Sequence, residues 1–170
     1  EDPQKVAADQ LVLRGDDPAA RFAAEAPAGA LRVEGKSVSG EGFSVGFDPE
    51  SGFIRSYCLR SVELLAGPLR PNFYRAATDN DLGVRQTGKY PDSRMWATAE
   101  PQLVGFVLTA GDSEAEAVAD YTIPAVGARL RLTYTIFADG SVRVSEAMTA
   151  DPARKDVAEL MRFGMAFETP

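Results

Sequence analysis

The sequence predicts an all-β protein, an antiparallel β-sandwich carrying one short helical turn. Three observations lead there. Arg129 to Phe137 alternates strictly, which places Leu130, Leu132, Tyr134 and Ile136 on one face and Arg129, Arg131, Thr133 and Thr135 on the other. Comparable short runs recur along the chain, separated by clusters of Gly, Pro, Asp and Ser that make turns. No long segment sustains a 3.6-residue apolar period, so helices have no face to bury.

Taken in order, Val6 to Leu13 is an apolar run between Pro3 and Arg14-Gly15-Asp16-Asp17-Pro18, and it reads as one strand over residues 1–13. Residues 14–30, rich in Ala, Asp, Pro and Gly as far as Gly29, read as a linker. A separate domain then occupies residues 31–170, opening with the alternating Leu31-Arg32-Val33-Glu34. Phe43 to Phe47 has an apolar or small residue at every second position and runs into Asp48-Pro49-Glu50-Ser51-Gly52, a turn with Pro to fix φ and Gly to accept φ > 0. Phe53 to Leu59 is the return strand. Gln102 to Thr109, Glu116 to Ile123 and Val142 to Met148 add further strands. Ala138-Asp139-Gly140-Ser141 makes the hairpin joining Arg129–Phe137 to Val142, because Asp-Gly tolerates positive φ. Asp92 to Thr98 alone suggests a helical turn.

Composition removes several function classes. A chain of 170 residues with 45% hydrophobic residues has material for one domain and a short extra segment. A net charge of −7, with the acids spread along the chain, argues against nucleic acid and against an anionic membrane surface. No run of about 18 apolar residues offers a membrane span, and no signal peptide opens the chain. With 0 histidines and 1 cysteine, neither a Ser-His-Asp system nor a zinc site is available. Cys58, between Tyr57 and Leu59, reads as a small buried hydrophobe. Phosphate-binding glycine loops are missing as well. Carboxylate chemistry is what remains.

The densest chemistry lies in Pro71-Asn72-Phe73-Tyr74-Arg75-Ala76-Ala77-Thr78-Asp79-Asn80-Asp81-Leu82-Gly83. On an extended strand Asp79 and Asp81 share a side, with Cα atoms about 6.5 to 7 Å apart, so spacing permits a carboxylate pair. The same residues also suit a turn in which side-chain oxygens accept backbone N–H groups and Arg75 supplies the counter-charge. The turn reading takes precedence.

This stretch resembles the Arg-Ala-Pro-x-Asp-Asn-Asp-x-Gly segment of the large bacterial β-galactosidases of glycoside hydrolase family 2, near the start of their last, all-β domain. The resemblance runs from about Gly42 to the end. It includes the opening hairpin Phe43–Asp48 and Ser51–Ile54, the approach Leu64-Leu65-Ala66-Gly67-Pro68-Leu69-Arg70, and Met161-Arg162-Phe163-Gly164-Met165 as a strand in the middle of the domain. Tyr74 and Ala77 depart from the Trp and Pro common in the family. The resemblance implies a terminal β-sandwich of the supersandwich, galactose-mutarotase-like kind, here its N-terminal part. Residues 1–13 would then be the last strand of a preceding immunoglobulin-like domain. It also implies that the catalytic glutamates lie in a central barrel outside this chain, so no residue here is expected to be catalytic. Magnesium and sodium, where the parent needs them, would sit at that barrel, and no cofactor is expected in this chain.

On the same resemblance Gly83, Val84 and Arg85 begin a mobile loop that shapes one side of the sugar pocket, whereas Asn72, Arg75, Asp79, Asn80, Asp81 and Trp96 form a structural signature. The implied partners are the rest of the parent enzyme, a β-galactoside in its pocket, and further copies in a homo-oligomer. Cytoplasm and periplasm of a bacterial-type cell both stay open. Two other readings compete: a carbohydrate-binding module using Tyr57, Tyr74, Tyr90 or Trp96 as a platform, and a structural or oligomerisation β-domain whose sheet edges pair with another chain.

Overall fold

A computed structural model describes residues 29–86, 88 and 91–170. The strand expected over 1–13 and nearly all of the linker expected over 14–30 lie outside the described residues. Strands β1 (Arg32–Glu34), β2 (Ser37–Gly40), β3 (Phe43–Phe47), β4 (Ile54–Leu59) and β5 (Val62–Glu63) form a five-stranded antiparallel meander in sequence order. Next come β6 (Arg70–Pro71), helix α1 (Asp79–Gln86) and a 3-10 turn at Ser93–Ala97. Strands β7 (Gln102–Ala110), β8 (Glu114–Ile123), β9 (Ala128–Phe137) and β10 (Val142–Ala150) build a second, four-stranded antiparallel meander. Finally β11 (Met165–Ala166) returns to pair with β6.

The two meanders stack because each has one apolar face. In β9 the buried positions are Leu130, Leu132, Tyr134 and Ile136, the set that alternation selected. Phe47 of β3 reaches across to lie 5.2 Å from the Phe106 ring and 5.3 Å from the Tyr134 ring. Phe53 stacks on Tyr121 at 5.4 Å. Ala115, Ala117 and Ala119 line the inner face of β8, all fully buried, and their small side chains leave room for those rings.

Turn chemistry fixes the register. Asp48 Oδ1 accepts from the amides of Glu50 and Ser51 and from the Ser51 hydroxyl, bonds that hold the Asp48 carboxyl below its ordinary range. Gly52 closes that turn at φ 70°, and a Cβ there would lie 3.0 Å from both Leu103 and the Tyr121 hydroxyl. At the β9–β10 hairpin Gly140 has φ 86° and packs against the Phe43 ring, while Asp139 accepts from the Ser141 amide and hydroxyl. The β4–β5 hairpin uses Arg60 and Ser61 at φ 49° and 68°, both in the left-handed region without a glycine.

That strained hairpin is fastened by Glu63. Its carboxylate accepts from Ser56 Oγ at 2.5 Å, the Tyr57 amide at 2.8 Å and the Leu65 amide at 3.0 Å, with Cys58 Sγ at 3.3 Å. The Ser56 bond and then the two amides lower its pKa from 4.5 to about 2. A carboxylate whose folded pKa is depressed stabilises the fold above its unfolded pKa, and the contribution fades as pH falls towards the folded value. The urea midpoint is therefore expected to drop between pH 5 and about pH 2, and Glu63→Gln should flatten that part of the profile. An identical acid slope in the variant would remove Glu63 from the account.

Two expectations need correction. Asp92–Thr98 does contain a helical turn, Ser93–Ala97, with Asp92 accepting from the Arg94 amide at 2.9 Å. It is not alone, because α1 occupies the stretch read as a turn and loop. Met161–Met165 is not a strand: only Met165, with Ala166, pairs, and the irregular approach lays Phe163 on Phe73 at a centroid distance of 6.4 Å.

Candidate functional site

The signature segment leaves the β6–β11 pair and lays Phe73 against Trp96. The Asn72 amide donates to the Gly164 carbonyl at 2.7 Å, continuing the β6–β11 ladder by one bond. Asn72 Oδ1 accepts from the Tyr74 amide at 3.1 Å, an Asx turn that lifts the chain away from the sheet. Phe73 is buried against Trp96 edge-to-face, with centroids 5.8 Å apart. Trp96 is 5% exposed and donates its indole N–H to the Ala158 carbonyl at 2.8 Å. It therefore presents no stacking surface. Tyr57 and Tyr74 are half-buried, and Tyr90 lies outside the described residues.

Helix α1 starts on a reciprocal cap. Asp81 Oδ2 accepts from the Thr78 amide at 2.7 Å and the Thr78 hydroxyl at 2.8 Å, and the Asp81 amide returns a long bond of 3.5 Å to Thr78 Oγ1. This is a capping box with an aspartate at its third helical position. Arg75 adds Nη1 at 2.7 Å and Nη2 at 3.4 Å to the same carboxylate. The guanidinium first, and then Thr78, hold the Asp81 carboxyl far below the usual range, and Asp81 in turn raises Arg75. Asp79 and Asp81 favour the positive end of the helix dipole.

This geometry corrects the extended-strand comparison for Asp79 and Asp81. Residues two apart on a helix point about 200° apart, so the carboxylates do not converge. Asp79 and Asn80 are exposed in the first turn, Gly83 sits mid-helix with open space about its Cα, and Val84 and Arg85 continue the helical backbone. The structure thus gathers Arg75 and Asp81 around Thr78 and leaves Trp96 in a separate cluster. Thr78 is the site residue that sequence reasoning misses, although Thr-x-x-Asp is its signal. Thr78→Ala is expected to destabilise α1 by about 1 kcal/mol, read as loss of helical carbonyl-carbon shifts over Asp79–Gln86. Unchanged shifts would dismiss the cap.

Between Arg70–Tyr74 and Trp96–Pro101 lies a cleft of about 220 Å³, below the roughly 300 to 1,000 Å³ typical of ligand pockets. Among the described residues no three His, Cys, Asp or Glu side chains gather as a metal site, and no helix is long and apolar enough to cross a membrane.

Residues 39–170 match the family model described as beta galactosidase small chain. The chain belongs to the β-galactosidase small-chain family. Its similarity to individual β-galactosidases agrees. A β-galactosidase of Priestia megaterium is 32% identical over 139 residues, covering 77% of this chain and 12% of the relative. One from Halalkalibacterium halodurans is 30% identical over 150 residues, 84% of this chain and 14% of the relative. One from Vibrio cholerae is 27% identical over 137 residues, 73% and 13% respectively. This small-chain domain therefore spans roughly one eighth of the length of the curated relatives it matches.

Proposed function

We propose that this small-chain domain is a non-catalytic part of a retaining β-galactosidase, which buttresses the catalytic barrel and lends the α1 region to one side of the substrate pocket. The observation that carries the non-catalytic reading is the Asp81 site. Retaining glycosidases need two carboxyls about 5 to 5.5 Å apart facing one sugar, whereas Asp81 is engaged by Arg75 and Thr78 and Asp79 points elsewhere. The family membership supports the parent reaction, hydrolysis of terminal β-D-galactosides. Metal ions, magnesium and sodium included, would be a matter for the barrel.

The pocket-lining role is supported by the build of α1. The helix has eight residues, includes Gly83 and exposes Asp79, Asn80 and Leu82, with Asp81 half-buried. Isolated helices of that length are marginal, and an internal glycine costs about 0.5 to 1 kcal/mol relative to alanine. Such an element opens locally at little expense, as a segment that adjusts around substrate must.

The test mixes the purified chain with the parent polypeptide lacking the equivalent segment and follows a chromogenic β-galactoside. Expected are no turnover by the chain alone and recovery of turnover on mixing. Turnover by the chain alone would overturn the non-catalytic reading. Failure to recover activity when the two pieces demonstrably associate would overturn the supporting role.

A further inference from the structure

Among the described residues, three buried side-chain polar atoms of the sandwich have no hydrogen-bond partner: Tyr121 Oη, Tyr134 Oη and Glu146 Oε1. The two tyrosines are 2% and 0% exposed. Such groups in native interiors are nearly always satisfied, by protein or by ordered water.

Register brings the three together. Tyr134 of β9 pairs with Ala117 of β8 and Val144 of β10, whereas Tyr121 of β8 pairs with Leu130 of β9. Only one inward-facing rung separates them, and it consists of Phe106, Ala119, Leu132 and Glu146. Ala119 and Ala117 are small, so the rings have space to lean over this rung. Burial first, then the Tyr121 hydroxyl and the Glu146 carboxyl beside it, raise Tyr134 well above a free phenol, and the two hydroxyls are near enough to interact directly. Glu146 is likewise raised by burial. The β3–β4 turn roofs the place, since a Cβ on Gly52 would meet Tyr121 Oη at 3.0 Å.

We propose that Tyr121 Oη, Tyr134 Oη and Glu146 Oε1 form an internal water-binding site beneath the β3–β4 turn, tying edge strand β10 to β8 and β9. The donor inventory fits. Each hydroxyl gives one proton and accepts others, the carboxyl oxygen accepts, and water supplies two of each kind. A buried water makes about three hydrogen bonds, the number of orphaned atoms here. Direct bonding of the tyrosines to each other would still leave the carboxyl of β10 unsatisfied.

A high-resolution crystal structure of the polypeptide carrying this domain tests the site without any variant. One water within hydrogen-bond distance of all three atoms is expected. Three atoms bonded directly to one another, or an unfilled gap between them, would overturn the proposal. In solution the Tyr121 hydroxyl proton should give a cross-peak to a bound water by NMR, and Tyr134→Phe should weaken it at least severalfold by removing one anchor. A cross-peak of full strength in that variant would reject the three-atom site.

Discussion

Phe47→Ala is expected to destabilise the sandwich by about 3 to 5 kcal/mol, the range for truncating a buried aromatic residue. The magnitude follows from position. Phe47 is 4% exposed and is shared between the meanders, edge-on to Tyr134 and tilted against Phe106. Its loss opens a gap that neither sheet fills alone, because the facing positions of β8 are alanines. The measurement is the urea midpoint with the slope held constant, compared against Val104→Ala. Val104 is 67% exposed on β7, and its truncation should stay within about 0.5 kcal/mol. Equal effects at the two sites would mean that the meanders do not share a core.

Trp96→Ala should cost a similar amount, about 3 to 5 kcal/mol, for a different reason. Trp96 joins Phe73 to the Ala158 carbonyl, so it connects the signature segment to the irregular stretch before β11. Trp96→Phe separates the two contributions: the ring stack is kept in part, while the Ala158 carbonyl loses its donor at a cost of roughly 1 kcal/mol. Galactose should leave the Trp96 fluorescence of the folded chain unchanged. A saturable, sugar-dependent change would reverse the reading and make this indole part of a binding surface.

The sheet face of this protein was legible because alternation and burial are the same fact seen twice. Leu130, Leu132, Tyr134 and Ile136 announce their face, and Asp139-Gly140 announces the hairpin beside it. The β4–β5 hairpin gave no comparable signal. Arg60 and Ser61 are poor advertisements for positive φ, and their conformation rests on neighbours such as Glu63 that only the fold assembles. The site was half legible. Thr78-Asp79-Asn80-Asp81 contains residues that favour turns and helix caps equally, so composition alone could not separate an Asx turn from a helix start; the Thr-x-x-Asp interval does. Met161–Met165 failed for the opposite reason: its apolar residues serve a ring stack and a two-residue bridge, which need no strand period.

The alanine strip of β8 carries a consequence for how this domain can drift. Ala117 and Ala119 are fully buried beside Tyr134 and Phe106 of the neighbouring strands, so space at one position is already taken at another. Enlarging one of them to valine alone overpacks the interior by about 1 to 3 kcal/mol. The same change becomes tolerable once Tyr134 or Phe47 has shrunk. Steps along that route must come in compensating pairs, and a shuffled β8 from a distant relative should be accepted only together with the β3 and β9 it grew up against.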